Sequence, residues 1–215
     1  MNEIKYKFLK NENELKDKID ILDKMAKSQL VKVKELYIED LYFMSLIDKS
    51  IKLIASFLFA FGKRNITVLA TLTRVQIDCT LRAFATTMVD DSSDFCKAIL
   101  VDSKKVNELK DKHNRKMTDR YLCECVGEYL NLPVYDLYKK VSGFVHFSSD
   151  SFYNISKAHE KYDISMFISR KNREEDRESF ERISIELANQ FLFFGLVLIE
   201  DIFYTWIEQK MKWQN

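Results

Sequence analysis

A shortage of turn-forming residues constrains the fold of this chain more than any other feature of its sequence. The 215 residues include only four glycines and one proline. Sheet proteins reverse direction often and rely on Gly, Asn or Pro at the reversals, so a chain this poor in them is expected to form long helices. We therefore predict an all-α fold, with residues 1–215 forming a single-domain bundle of about five to seven helices.

Apolar residues that recur every three and four positions place the individual helices. The last predicted helix is apolar all round between Phe191 and Ile199, so we expect it to be the long central helix of the bundle. The helix over 11–30 is expected at the periphery. The other expected elements are helices over 33–61 with Gly62 as cap, 65–89, 95–100, 104–112, 119–130 and 133–140 closed by Ser142-Gly143, a short extended piece within 162–169, and the final helix over 173–210.

Charge, cysteines and hydropathy narrow the class of protein. The 34 basic residues are balanced by 33 acidic ones, so no global field attracts nucleic acid or membrane, and any RNA contact has to come from a local site. No DNA partner is predicted.

The four cysteines match no disulfide framework and are expected to be reduced. Because the N-terminus is charged and Phe191–Ile199 is too short to span a bilayer, we expect a cytoplasmic protein without a membrane segment.

Three charged residues stand in an otherwise apolar helix. Arg74, Asp78 and Arg82 recur at intervals of four and therefore line one helix face. Charges in such a helix need partners, because desolvating an unpaired ion costs several kcal/mol. One interpretation is an internal ladder of ion pairs. The other is a polar site sunk into the bundle, with Arg74 or Arg82 facing an anion.

The segment from Tyr138 to Ser149 combines a histidine with lysines and hydroxyl groups. His146 follows Lys140 and Ser142 and precedes Ser148. A histidine in these surroundings is suited to general acid–base chemistry near neutral pH, with a cation stabilising a phosphate. The alternative is a structural histidine that closes the bundle by bonding to Asp78, a serine or a carbonyl. The three histidines have no helical spacing of three or four, so no metal is predicted.

These residues resemble a known family. The Arg74-x-x-x-Asp78 pair, the tyrosine-led Ser142-x-x-x-His146 segment and the apolar final helix are similar to helical bacterial proteins allied to the HEPN superfamily, which includes abortive-infection phage-defence proteins. The resemblance covers roughly residues 36–206. It implies a dimeric, metal-free ribonuclease site built on R-x4–6-H motifs. In this chain the residue at the arginine position is Lys140, with five residues between it and His146. Lysine keeps the positive charge but cannot make the two parallel hydrogen bonds by which arginine binds a phosphate.

The resemblance implies a phage-defence or toxin-type protein that cuts or binds RNA without a cofactor. The expected partners are a second copy of the chain, RNA, and a phage or antitoxin protein. A homodimer is also expected because Phe191–Ile199 and the aromatic residues after it carry more apolar surface than a thin bundle hides. The alternative is a non-catalytic interaction module whose polar cluster is structural. The expected catalytic residues are His146, Lys140, Arg74 and Asp78, and the expected substrate-binding residues are Arg82, Tyr138, Ser142 and Ser148.

Overall fold

The computed structural model describes residues 12–30, 35–145, 156–158, 164–166 and 177–213. Within these ranges the protein is a helical bundle with a long C-terminal helix, which confirms the all-α prediction. Two three-residue strands, β1 (Ser156–Ala158) and β2 (Ile164–Met166), pair antiparallel. The helices are α1 (Glu12–Leu30), α2 (Ile38–Gly62), α3 (Ile66–Ala85), α4 (Ser92–Leu100), α5 (Asp119–Leu130), α6 (Val134–Val145), α7 (Arg177–Leu196) and α8 (Tyr204–Trp213), with a π-helical segment (Val197–Phe203) joining α7 to α8.

A side-chain hydrogen bond, rather than the apolar pattern alone, sets where α2 begins. It begins at Ile38 instead of residue 33, because the Asp40 carboxylate accepts the Tyr37 N–H at 2.8 Å. Gly62 is the last helical residue and not the cap. The left-handed turn falls on Arg64, with φ 52°, so the predicted role of Gly62 is wrong.

Two other helix predictions fail for local reasons. Residues 104–112 form no α-helix, and only a 3₁₀ turn, Val106–Glu108, interrupts an extended loop. Helix α6 runs through Ser142-Gly143 to Val145 instead of ending there. Its extra turn packs on α3, and this tertiary contact outweighs the weak helix preference of Ser and Gly.

The centre of the bundle is the contact between α3 and α7. Two buried hydroxyl bonds tie it together, because the Thr73 hydroxyl donates to the carbonyl of Leu187 at 3.3 Å and that of Thr80 to the carbonyl of Phe194 at 2.8 Å. On the other side of α3, the Ser50 hydroxyl of α2 donates to Gln76 at 2.7 Å. These bonds fix the register of α3, which carries the charged face.

The apolar C-terminal segment is hidden within the chain itself. Helix α7 and the π segment pack between α1, α2 and α3, so this segment needs no second copy to cover it, and the homodimer stays a prediction. Helix α1 is integral rather than peripheral, since it adds Leu15, Ile19 and Leu22 to the same core. The buried residues of the C-terminal segment are Phe191, Leu192, Phe194, Val197, Leu198, Ile199, Ile202, Phe203, Trp206 and Ile207.

The C-terminal helix also has the length and composition of a membrane span. By those two properties alone, Glu178–Lys212 could cross a bilayer. However, 56% of its apolar window is buried inside the bundle, and the core helix of a water-soluble bundle has the same character.

We predict that Gly127→Ala loosens the connection between α5 and α6. A Cβ at Gly127 would stand 2.8 Å from the backbone carbonyl oxygen of Leu132, and that carbonyl belongs to the tight turn leading to Pro133. Overpacking of about 1–3 kcal/mol is partly offset by the better helix propensity of Ala, about 1 kcal/mol. Urea denaturation should show a lower free energy of unfolding than for Glu128→Ala, a change at an exposed neighbouring position. Equal stability of the two variants would contradict the prediction.

Candidate functional site

Helix α3 presents a ladder of charges on one face, as predicted. The Asn65 side chain caps the helix by accepting the Val68 N–H at 3.2 Å, and this start sets the face on which later residues fall. Arg74 forms an ion pair with Asp78, and Arg82 Nη2 lies 3.7 Å from Asp78 Oδ1. Asp78 therefore lies between two arginines one turn away on either side.

Helix α5 supplies a second carboxylate that sequence reasoning missed. Thr118 caps α5 by accepting the Tyr121 N–H at 3.3 Å, which puts Asp119 in the first turn. Asp119 Oδ1 accepts a hydrogen bond from Arg82 Nη2 at 2.5 Å, and its Oδ2 lies 3.7 Å from Arg74 Nη2. The only sequence signal was an acidic residue at a helix N-terminus, which the helix dipole alone would explain.

Helix α6 closes the site with two hydroxyl groups. Ser142 Oγ accepts from Arg74 Nε at 2.9 Å. The Tyr138 hydroxyl accepts from Arg74 Nη2 and donates to Asp119 Oδ2 at 2.7 Å. The Tyr138 ring also stacks on the guanidinium, with Arg74 Cζ 3.5 Å from the ring centroid. We call these residues the polar cluster: Arg74, Asp78, Arg82, Asp119, Tyr138 and Ser142.

The polar cluster is electrically balanced and reachable from solvent. Two guanidinium groups face two carboxylates, so its formal charge is zero. The side chains of Arg74 and Arg82 are 17% and 25% exposed, and those of Asp78 and Asp119 are 28% and 40% exposed. Arg82 Nη1 is buried and has no hydrogen-bond partner in the described part of the chain.

The remaining predicted site residues lie elsewhere or outside the description. Lys140 is on α6 but donates to Glu186 of α7 at 2.6 Å, in an exposed pair, instead of joining the polar cluster. His146 and Ser148 follow α6 directly and lie outside the described residues. The structure thus brings together five of the predicted residues: Arg74, Asp78, Arg82, Tyr138 and Ser142.

The cysteines have no disulfide partner among the described residues, and all four are free. Burial raises the pKa of the Cys79 thiol to about 11 and those of Cys96 and Cys123 to about 12. Cys123 packs beneath the polar cluster, where Arg74 partly opposes the effect of burial on its pKa. Thiolates are the reactive species, so these three cysteines are suited to packing rather than to nucleophilic chemistry.

We predict slow alkylation of the native thiols. At pH 8, three of them should be almost entirely protonated, and the half-buried Cys125, whose pKa burial also raises, should react first. As pH increases towards the raised pKa values, the rate should increase by about tenfold per unit. Iodoacetamide labelling followed by mass spectrometry, with guanidinium-unfolded protein as control, measures this. Rapid labelling of Cys123 in folded protein, or a mass showing a Cys123–Cys125 bridge, would contradict it.

No group of three or more His, Cys, Asp or Glu side chains within the described ranges could hold a metal ion. The chain matches no protein-family model, and comparisons with curated proteins and with solved structures give no match.

Proposed function

We propose that this chain is a HEPN-like bacterial defence or toxin-type protein that acts on RNA in the cytoplasm, cleaving or binding it without a metal, as a homodimer. The observation that carries the proposal is the environment of Arg74. A single partly exposed guanidinium is held by residues from α3, α5 and α6, with Ser142 on Nε and Tyr138 stacked on its plane. An arginine held in this way is preorganised to meet a phosphate, since little entropy remains to be lost.

His146 completes the proposed site through its position in the sequence. Tyr138 and Ser142 are four residues apart on α6 and both contact Arg74, and His146 follows Ser142 at the same interval. This interval in the sequence is the reason that the proposal gives His146 the acid–base role. We assign the phosphate contact to Arg74 rather than Lys140, because Lys140 lies outside the polar cluster and faces Glu186 of α7.

The proposed reaction is transfer of the RNA phosphodiester to its own 2′-oxygen. His146 takes the proton of the 2′-hydroxyl as this oxygen bonds to phosphorus. The bond from phosphorus to the 5′-oxygen breaks, and the leaving oxygen takes a proton from water to become a 5′-hydroxyl. His146 returns to solvent the proton that it took from the 2′-hydroxyl. Arg74 stabilises the charge on the phosphoryl oxygens, while Asp78 fixes Arg74. The products are a 2′,3′-cyclic phosphate and a 5′-hydroxyl end.

A cleavage assay in EDTA tests this proposal. Wild-type protein should cut total RNA and leave 5′-hydroxyl ends. His146→Ala should fold normally and lose at least about a hundredfold in rate, as expected for removal of an acid–base group. The control is Gln209→Ala, at an exposed position on α8 that has no part in the proposed site. Intact RNA after incubation with a well-folded wild-type protein would defeat the cleavage proposal.

The charge balance of the polar cluster favours a second candidate, a non-catalytic interaction module. Each arginine already has a carboxylate partner, so the six residues could serve only to join α3, α5 and α6. In that case His146→Ala should lower the melting temperature, and a cellular phenotype should decline only in proportion to lost protein. Thermal melts and cellular assays of the same variant separate the two candidates.

A further inference from the structure

A surface loop before α5 concentrates the basic residues of the chain. Residues 104–116 contain six basic residues and two acidic ones, a net charge of +4. Since the whole chain carries +1, the remainder is net negative. The side chains of Lys110, Lys112, Arg115 and Lys116 are all exposed. We call residues 110–116 the basic loop.

A buried carboxylate holds the basic loop in one shape. The Asp111 side chain is 1% exposed. Its Oδ1 accepts the N–H groups of His113 and Arg115 at 3.0 and 2.8 Å, and its Oδ2 accepts the Tyr121 hydroxyl at 2.7 Å. Although burial raises the pKa of this carboxyl group, these hydrogen bonds outweigh that effect and lower it overall. Asp111 therefore stays ionised, and its hydrogen bonds to the N–H groups of His113 and Arg115 hold the loop backbone in place.

The backbone of the basic loop is anchored as well. Lys110 and Lys116 face each other in an antiparallel bridge, and the Lys112 N–H donates to the carbonyl of Met88 at 2.9 Å. Met117, which closes the loop, is fully buried. These contacts fix the backbone positions from which the cations of the loop project.

The loop cations are largely left without neutralising partners. Within the described part of the chain no carboxylate pairs with Lys112 or Lys116. Lys110 bonds to the neutral Asn114 at 2.7 Å. Arg115 is 61% exposed and lies 3.8 Å from Asp111, with Cζ 4.9 Å from the Tyr121 ring centroid. Asp111 is already engaged by the loop backbone, so the positive field outside the loop is only partly cancelled.

We infer that the basic loop is a docking surface for the phosphate backbone of single-stranded RNA. This inference rests on the proposed function and names where the RNA would lie. The loop carries no apolar side chain between residues 110 and 116, so it offers nothing to insert into a bilayer. Fixed cations beside exposed arginines suit a polyanion tracked by its phosphates.

The position of the loop favours RNA over an acidic protein surface. Lys116 precedes Asp119 of the polar cluster by three residues, a separation of at most about 11 Å between Cα atoms. Beyond Asp119, Arg120 is exposed with its Cζ 5.3 Å from the Tyr135 ring centroid, and its Nε is paired with Glu124 at 2.8 Å. A strand bound along the basic loop would thus pass next to the polar cluster.

A binding assay that excludes cleavage tests this inference. The probe is fluorescein-labelled, 2′-O-methylated single-stranded RNA of mixed sequence, which has no free 2′-hydroxyl, followed by fluorescence anisotropy between about 50 and 200 mM salt. The test variant is Lys112→Gln/Arg115→Gln/Lys116→Gln. The matched control removes the same charge from exposed positions on α1, which packs on α2 and α7: Lys16→Gln/Lys24→Gln/Lys27→Gln.

The loop variant should bind about tenfold or more weakly, and its plot of log Kd against log salt should be shallower by about 2, at roughly 0.7 per lost phosphate contact. The α1 variant should match wild type, and both should melt as wild type does. Wild-type affinity and salt slope in the loop variant would overturn the inference while leaving the proposed cleavage intact. Wild-type protein that binds phosphatidylserine vesicles or an acidic peptide through this loop, but not RNA, would overturn it too. If wild-type protein neither binds nor cleaves RNA, both this inference and the proposed function are wrong.

Discussion

We expect Lys210→Met to lower the free energy of unfolding by about 3–5 kcal/mol, the usual result of removing one partner of a buried ion pair. Lys210 Nζ lies 2.5 Å from Asp40 Oδ2, and the two side chains are 3% and 0% exposed. Lys210 also donates to the carbonyl of Glu35 and lies 4.7 Å from the Tyr37 ring centroid. Methionine keeps the length and apolar stem of lysine but leaves the Asp40 charge buried without a cation.

The loss of stability should affect two helices, because Asp40 joins the start of α2 to α8. Its Oδ1 accepts from Trp206 Nε1 at 2.7 Å, and its Oδ2 accepts the Tyr37 N–H at the start of α2. Chemical denaturation measures the loss in the free energy of unfolding. The control is Lys212→Met, at an exposed position two residues further along α8. Adding Asp40→Asn to Lys210→Met should recover part of the loss by removing the stranded charge. Equal stability of Lys210→Met and Lys212→Met would contradict this account.

Arg74→Ala should be the next most costly change, at about 2–4 kcal/mol, since it leaves partly buried carboxylates short of a cation. The substitution removes the ion pair to Asp78 and the hydrogen bonds to Ser142 and Tyr138. Asp119 would then depend on Arg82 alone for charge compensation. The three helices α3, α5 and α6 would lose their shared polar contact.

A double-mutant cycle measures how much of that loss belongs to the carboxylate on α5. In an Asp119→Asn background, Arg74→Ala should cost less, by an interaction energy of about 0.5–3 kcal/mol. Arg182→Ala, at an exposed position on α7, is the matched control for loss of an arginine. Strict additivity of Arg74→Ala and Asp119→Asn would show that the two residues do not interact in solution.

Much of the fold was predictable because local signals and the bundle agree. The shortage of Gly and Pro predicted helices, and the predicted helix over 119–130 coincides with α5. Errors arose where tertiary partners decide. Ser142 remains helical because Arg74 bonds its hydroxyl, and residues 104–112 form a turn and loop built partly around the buried Asp111 carboxylate.

The candidate site was predictable only in part for the same reason. The interval of four between Arg74, Asp78 and Arg82 is visible in the sequence, and it correctly placed them on one face. Asp119 looked like an ordinary residue of a helix N-terminus, because nothing in its own segment shows that α5 meets α3. Lys210 is the last residue of the predicted final helix, and nothing in its own segment shows that its ammonium group is buried against Asp40.

The most direct test of the polar cluster as an RNA site is the cleavage rate of Arg74→Lys in EDTA, measured below the melting temperatures of both proteins. Lysine keeps the charge but loses the fork that meets a phosphate. We predict that wild type cuts RNA and that Arg74→Lys, while still folded, is slower by about a hundredfold or more, as when a single transition-state donor is removed. Arg182→Lys should match wild type. If the cleavage rate of Arg74→Lys falls only in proportion to its folded fraction, the polar cluster is not an RNA site. Its role would then be to hold α3, α5 and α6 together.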